Sequence, residues 1–373
     1  MARAVLCLAI SMLGLGISAN AQWPKIITFD APGACTVPAC EGAGTIPSDI
    51  NPAGEIVGTY MDANYVYHGF LRAPDGKFRT LDVPGAVWGT IITSNNPAGA
   101  IAGFYGNASP VWYGYLRAPN GELTTFAAPG AGTGADQGTG ANCINPAGAI
   151  AGSYTDEYTV DHGYLRTPDG KITIFDAPDA GSEQGQGTNN EWAVCMNPAG
   201  AITGYYIDNN WVGHGYVRAP DGAITEFDAP GAGTTAGSTE GTYPWGISAN
   251  GTIVGFVQDT NELTHGFIRS PFGRFTTFDV PGAGTVVGSW QGTWPMDINS
   301  AGAITGYYAD ASWVCHGFLR APDGRITKFD VPGAGNESGQ GTYPMTINSA
   351  GAVTGYYLDS AGVYHGFLVP AMP

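Results

Sequence analysis

A short string, His followed by Gly and an aromatic residue, returns at His68, His162, His214, His265, His316 and His365, and Tyr113-Gly114-Tyr115 replaces it once. The seven copies stand 45, 49, 52, 51, 51 and 49 residues apart. That spacing is too regular for chance, and each copy is too short to bury a core of its own. Every copy is therefore one unit of a larger structure.

The copy from Gly292 to Pro332 shows the internal grammar: Gly-Thr-Trp-Pro-Met-Asp-Ile-Asn, Ser-Ala-Gly, Ala-Ile-Thr-Gly-Tyr-Tyr-Ala-Asp, Cys-His-Gly-Phe-Leu-Arg, Pro-Asp-Gly, Arg-Ile-Thr-Lys-Phe-Asp-Val-Pro. Turn signals such as Asn51-Pro-Ala-Gly54 and Ala73-Pro-Asp-Gly76 cut each copy into four short strands, called A to D in chain order. With 58 Gly and 26 Pro in 373 residues, the chain is hostile to helix. Aromatic residues at 12% and apolar residues at 43% still supply a core, so disorder is excluded. Strict apolar alternation is absent, which suits sheets covered on both faces.

Repeated four-stranded units of about 50 residues predict an all-β fold, a seven-bladed β-propeller. The chain ends favour a ring over an open solenoid. The seventh copy stops after His365-Gly-Phe-Leu-Val369 without a strand D, while Lys25-Ile-Ile-Thr-Phe-Asp30 has the strand D pattern with no strand C before it. The N-terminal strand is expected to join the last blade and close the ring, leaving no exposed terminal edge. The Ile-Asn…Gly…Gly and His-x-Phe-Leu elements resemble the bacterial extracellular repeat family called HAF, across essentially the whole mature chain, with Gly between the His and the aromatic in every copy here. The resemblance implies secretion and a repeated β architecture, and brings no catalytic residues.

Residues 1–21 read as a secretory signal: Arg3, an apolar run from Ala4 to Ile17, then Ala19-Asn20-Ala21. The mature chain, 22–373, is then a single propeller domain, extracellular or periplasmic, with no membrane insertion after cleavage. Losing Arg3 takes the formal charge from −17 to −18, which repels nucleic acid. Five cysteines survive cleavage, and Cys35 and Cys40 share one loop, so a local disulfide is expected there in an oxidising compartment.

Three recurring polar sets read as scaffold. The six histidines open strand C, and Asp62, Asp156, Asp208, Asp259, Asp310 and Asp359 follow strand B. At a strand spacing of about 4.8 Å, equivalent strand C positions in adjacent blades stand roughly 13 Å apart, too far for zinc to bridge. No metal site is expected. A neutral His donating to the carboxylate would fix the B–C loop. Asp30, Asp82, Asp176, Asp228, Asp279 and Asp330 close strand D and read as turn residues. Arg72, Arg117, Arg166, Arg218, Arg269 and Arg320 end strand C and are expected to pair with acidic neighbours between blades.

Recognition is expected where copies differ and converge, in the D–A loops on one face. The residue before each Gly-Thr is Ala43, Trp88, Gln137, Gln186, Glu240, Gln291 or Gln340. Ringed around a channel mouth, these amides, the carboxylate and the indole would suit a neutral polar ligand or a bound cation. Trp88, Trp192, Trp211, Trp290 and Trp313 fall in or near variable loops and suit stacking on sugars. The sequence has no Gly-x-Ser-x-Gly elbow, no His-Glu-x-x-His, no phosphate-cradling Gly-Lys-Ser and no calcium loop of full length. The reading is a secreted, non-catalytic propeller that binds a polysaccharide or an extracellular protein. The alternative is a glycan-active lyase or hydrolase using carboxylates at the mouth, Glu240 among them. No organic cofactor is implied.

Overall fold

The computed structural model describes residues 25–109, 111–188, 195–238 and 240–371, so the expected signal and Trp192 lie outside the described residues. Among those residues the chain is β throughout, apart from one 3-10 turn at Pro38–Cys40. The unit predicted from Gly292 onward is Gly292–Ile298, Ile304–Ala309, Cys315–Arg320 and Ile326–Phe329, each strand antiparallel to the one before. The same four-stranded unit recurs from Gly44–Ile50 onward, and in one copy strand A is described only at Cys195–Met196. The final copy ends on its strand C, Tyr364–Val369, whose outer edge pairs with Ile27–Phe29: Ile27 faces Leu368 and Phe29 faces Gly366. Strand A packs beside strand A of the following unit, and Gly341–Ile347 packs beside Gly44–Ile50.

The missing alternation has a structural cause. Strands B lie between neighbouring sheets, and all six residues of Ile56–Met61 are buried. Most of the apolar clusters are shared by neighbouring units, as where Val254 and Val280 of one meet Ile298, Ile304, Tyr308 and Phe318 of the next. The core therefore sits between sheets, and no unit has one alone.

The Gly-Thr pair that opens strand A is the docking point for the linker from the previous unit. The glycines, Gly44 through Gly341, hold φ between 102° and 144° and form a parallel bridge to the first residue of the preceding strand C, as Gly292 does to Thr264. The threonine hydroxyl then accepts the N–H of the residue following the strand D Asp position: Val280 to Thr293 at 3.0 Å, Ala31 to Thr45 at 2.9 Å. Asparagine at the end of strand A works on both sides. The Asn299 side-chain oxygen accepts the Ala301 and Ala303 amides at 3.0 Å, fixing the A–B turn, while its Nδ2 donates to the Asn348 carbonyl at 3.2 Å. Asn348 repeats this toward the Asn51 carbonyl at 3.1 Å.

The arginines do link units, but their partners are rings instead of the expected acids. Arg72, Arg166, Arg218, Arg269 and Arg320 lie 4.6–5.0 Å from the centroids of Phe29, Phe126, Phe175, Phe227 and Phe278, the strand D aromatics of the neighbouring unit. A flat, weakly hydrated guanidinium can be covered by an aromatic face where a carboxylate would have to be desolvated. Arg117 meets a unit that carries Leu81 at the ring position, and Phe329 meets a unit that carries Val369 at the arginine position.

Candidate functional site

The D–A and B–C loops share one face, which backbone bonds between them establish: Gly185 to Thr159, Gly237 to Asn210, Gly288 to Asn261 and Gly339 to Trp313, all N–H to carbonyl at 2.7–2.9 Å. Neither set of loops contains a lysine or arginine, whereas Glu41, Asp136, Glu157, Glu183, Glu262 and Glu337 all fall in them. Cys35 and Cys40 form a disulfide in the first D–A loop, with Cα atoms 6.0 Å apart. Cys143 and Cys315 are free and buried.

The residues before Gly-Thr do not line an open mouth. Gln137, Gln186, Glu240 and Gln291 are buried, and Gln340 is half-buried. Each turns its side-chain oxygen into its own loop to accept a backbone amide: Gly134 to Gln137 at 2.8 Å, Glu183 to Gln186 at 3.1 Å, Thr235 to Glu240 at 3.0 Å, Val286 to Gln291 at 3.4 Å and Glu337 to Gln340 at 3.1 Å. A loop folded back on itself has amides with no ladder to join, and these oxygens supply the missing acceptors. Ala43 at the same position is buried, but Trp88 is 54% exposed.

Trp290, next to Gln291, is 43% exposed, and Trp211 on a B–C loop is 37% exposed. Both adopt φ near +60°, as does Trp313, in the left-handed region that bulky residues avoid at a cost of about 1–2 kcal/mol. Other copies place Gly42, Gly185 and Gly339 at the Trp290 position and Gly362 at the Trp211 position, but Asp136 at the first and Tyr65, Thr159 and Glu262 at the second hold the same positive φ, so the conformation belongs to the turn. Trp313 instead packs on Trp294, with ring centroids 6.2 Å apart.

Each histidine sits between two carboxylates, and the shorter bond goes to the strand D aspartate read earlier as a turn residue. His214 Nδ1 lies 2.9 Å from Asp228 and its Nε2 3.7 Å from Asp208. His68, His162, His265, His316 and His365 repeat the pattern. The B–C loop is held by the other aspartate: Asp208 Oδ1 accepts the Asn210 and Val212 amides at 2.8 and 2.9 Å. A carboxylate bonded to Nδ1 and a second one near Nε2 favour the protonated ring over the neutral donor expected from sequence in five of the copies. The bonds to Asp176, Asp228, Asp279, Asp330 and Asp30 raise the pKa of His162, His214, His265, His316 and His365, against the opposing effect of burial.

Sequence reasoning missed two acids on strand A. Asp49 accepts Ser94 Oγ at 2.9 Å and the Asn95 amide at 3.0 Å, while Asp297 accepts Thr346 Oγ1 at 3.0 Å and the Ile347 amide at 2.9 Å. Thr346 Oγ1 also lies 3.4 Å from Asp49, so one hydroxyl stands between the two acids. Burial raises both pKa values, that of Asp297 to about 6 with Asp49 adding to it. Aligning the residue before each Ile-Asn could have found them, because Ser94, Cys143, Gly246 and Thr346 occupy that position elsewhere.

These shifts have one sign. A pKa raised on folding adds stability that is complete below the unfolded value, 6.5 for His or 3.8 for Asp, and is lost as pH rises through the folded value. The lowered values of Asp62, Asp208, Asp259 and Asp359 work the other way, losing stability as pH falls below 3.8. Thermal unfolding followed from about pH 3 to pH 9 should give the highest midpoint at roughly pH 4–6. A midpoint that climbs steadily to pH 8 would contradict the upward shift of these histidines.

No family model matches the chain, and no curated protein matches its sequence. In structure it is similar to a streptogramin B lyase, with 14% identity, TM-score 0.55, and coverage of 92% of this chain and 97% of that one. It is also similar to a catalytically inactive virginiamycin B lyase from Staphylococcus aureus solved with quinupristin, at 16% identity and TM-score 0.55, covering 93% and 100%. A lectin from Burkholderia pseudomallei matches at 11% identity and TM-score 0.54, covering 87% and 95%. At such identities the likeness establishes the fold: an all-β, propeller-like array of four-stranded units, shared by lectins and lyases alike.

Proposed function

We propose that the protein is exported after cleavage near Ala21, closes as a seven-bladed propeller, and binds a glycan on the face that bears the D–A and B–C loops. Ring closure is supported by the pairing of Ile27–Phe29 with Tyr364–Val369 and by the Asn348-to-Asn51 bond, which matches the bonds between sequential units. A disulfide in the first loop agrees with an oxidising destination.

The observation that carries the binding reading is the exposure of Trp88, Trp211 and Trp290 on the D–A and B–C loops. A flat ring stacks on the apolar face of a pyranose, and surrounding loop amides and carboxylates can bond its hydroxyls. The structural likeness to a lectin supports a sugar-binding reading, and the specific role here is our own.

A glycan array on residues 22–373 tests the assignment. Binding should fall about tenfold or more in the Trp88→Ala, Trp290→Ala double variant with its melting temperature held within a few degrees. An array without a positive glycan, alongside capture of an exported protein on the same face, would replace the glycan with a protein partner.

A further inference from the structure

One copy lacks a ring that the other copies carry. The strand B residue paired with the strand C histidine is Tyr60, Tyr154, Tyr206, Tyr308 or Tyr357, and Tyr105 pairs with Tyr113 where the histidine is replaced. In the fifth copy it is Val257, opposite His265. Each tyrosine paired with a histidine stacks on it, with ring centroids 4.8–5.1 Å apart and planes within 25° of each other. These five tyrosines are only 3–8% exposed, so a ring in that place is nearly enclosed. His265 has no such cover, and its side chain is 33% exposed against 13–24% for the other five histidines.

The far side of the missing ring is open as well. A methyl group built on Gly33, Gly130, Gly282 or Gly333 in the D–A linkers would come within 3.3–3.8 Å of the tyrosine beneath it; on Gly231, their counterpart in the fifth copy, it would meet nothing within 4 Å. The outer edge carries no strap. In the fourth copy Glu226 reaches from strand D to accept the Asp179 amide of the linker at 2.9 Å, and in the sixth Lys328 donates to the Pro281 carbonyl at 3.0 Å. The fifth copy has the short, exposed Thr277 at that position. What remains is a recess of about 460 Å³ between Pro230-Gly231 and Thr277-Phe278-Asp279, with Val257 and His265 in its lining.

We propose that this recess is a binding slot for a small phenol, whose ring lies on the His265 imidazole where the other copies place a tyrosine of their own. The ligand class follows from the protein itself, which fills the equivalent place with a phenol stacked on histidine in five other copies. A void left by a missing ring is matched in shape by a ring, and stacking adds to the burial of its apolar edge. The polar edge of the slot faces outward. Thr80, the counterpart of Thr277, has its Oγ1 3.5 Å from the Tyr60 hydroxyl, and the Pro230 carbonyl is the counterpart of the one that accepts Lys328. A phenol therefore enters with its hydroxyl outward and its para carbon against Val257, so a substituent at the para position is disfavoured. The slot is independent of the glycan reading.

The test titrates residues 22–373 with phenol and follows the histidine ring protons by NMR, the other five histidines serving as internal controls. The His265 signals should move alone, with half-saturation at about 1 mM or below. Cyclohexanol, which has the hydroxyl without the flat ring, should bind about tenfold more weakly or worse. Val257→Tyr supplies the ring from within and should abolish the His265 shift while holding or raising the melting temperature. Thr277→Lys, the residue of the sixth copy, acts at an exposed position and should weaken phenol about tenfold or more at unchanged melting temperature. His265 signals unmoved at about 50 mM phenol, a shift spread equally over all six histidines, or binding that survives both variants overturns the slot. Equal affinity for cyclohexanol overturns the stacked ring. Tighter binding of N-acetyltyrosinamide than of phenol overturns the small ligand and assigns the slot to a tyrosine side chain of a partner.

Discussion

A chain that starts at residue 32, without the strand Ile27–Phe29, is expected to lose on the order of 5 kcal/mol of stability, much of what a typical domain possesses. Three losses coincide. The outer edge of Tyr364–Val369 is left with unpaired N–H and C=O groups. Phe29 leaves its contacts with Phe70 and Phe78, at centroid distances of 6.5 and 5.9 Å, and uncovers the Arg72 guanidinium. Asp30 leaves His365, and Ala31 no longer gives its N–H to Thr45. Calorimetry should show a midpoint lower by about 10 °C or more, given roughly 2 °C per kcal/mol for a domain of this size or larger. A synthetic peptide spanning 22–34 should restore part of the loss by adding a strand to the open edge. An unchanged midpoint in the truncated chain would mean that the terminal strand is an ornament.

The second large effect is expected at the opening of strand A. Gly292→Ala would put a methyl group inside the space of the Thr264 carbonyl oxygen, at φ +142°, a conformation that L residues rarely adopt. The backbone bridge to Thr264 cannot relax without moving a neighbouring unit, so the cost should exceed about 4 kcal/mol. Gly288→Ala, four residues earlier at φ +77° with nothing within 4 Å, isolates the backbone contribution and should cost only about 1 kcal/mol. Chemical denaturation of both variants measures the contrast. Equal midpoints would show that crowding against Thr264 plays no part.

Much of the fold was legible because the units repeat. The turn dipeptides, the four strands and the displaced terminal strand D could all be read from the spacing of His68 through His365 and from the pattern of Lys25 to Asp30. What spacing could not reveal was the partner of each side chain. The arginines resemble salt-bridge residues in one dimension, yet Phe175 and Arg218 lie 43 positions apart and meet only when two sheets stack. The glutamines before Gly-Thr gave a converging polar set in sequence, but their loops fold back and consume the side-chain oxygens internally.

The guanidinium and ring contacts carry a lesson about how such an array can diverge. Each contact is divided between two copies, so a substitution in one alters the seam with another, and the copies cannot drift as independent modules. Leu81 facing Arg117, and Val369 facing Phe329, record positions where one half has gone while the other half stays. The hereditary unit of this architecture is the junction, with its two contributors a repeat apart.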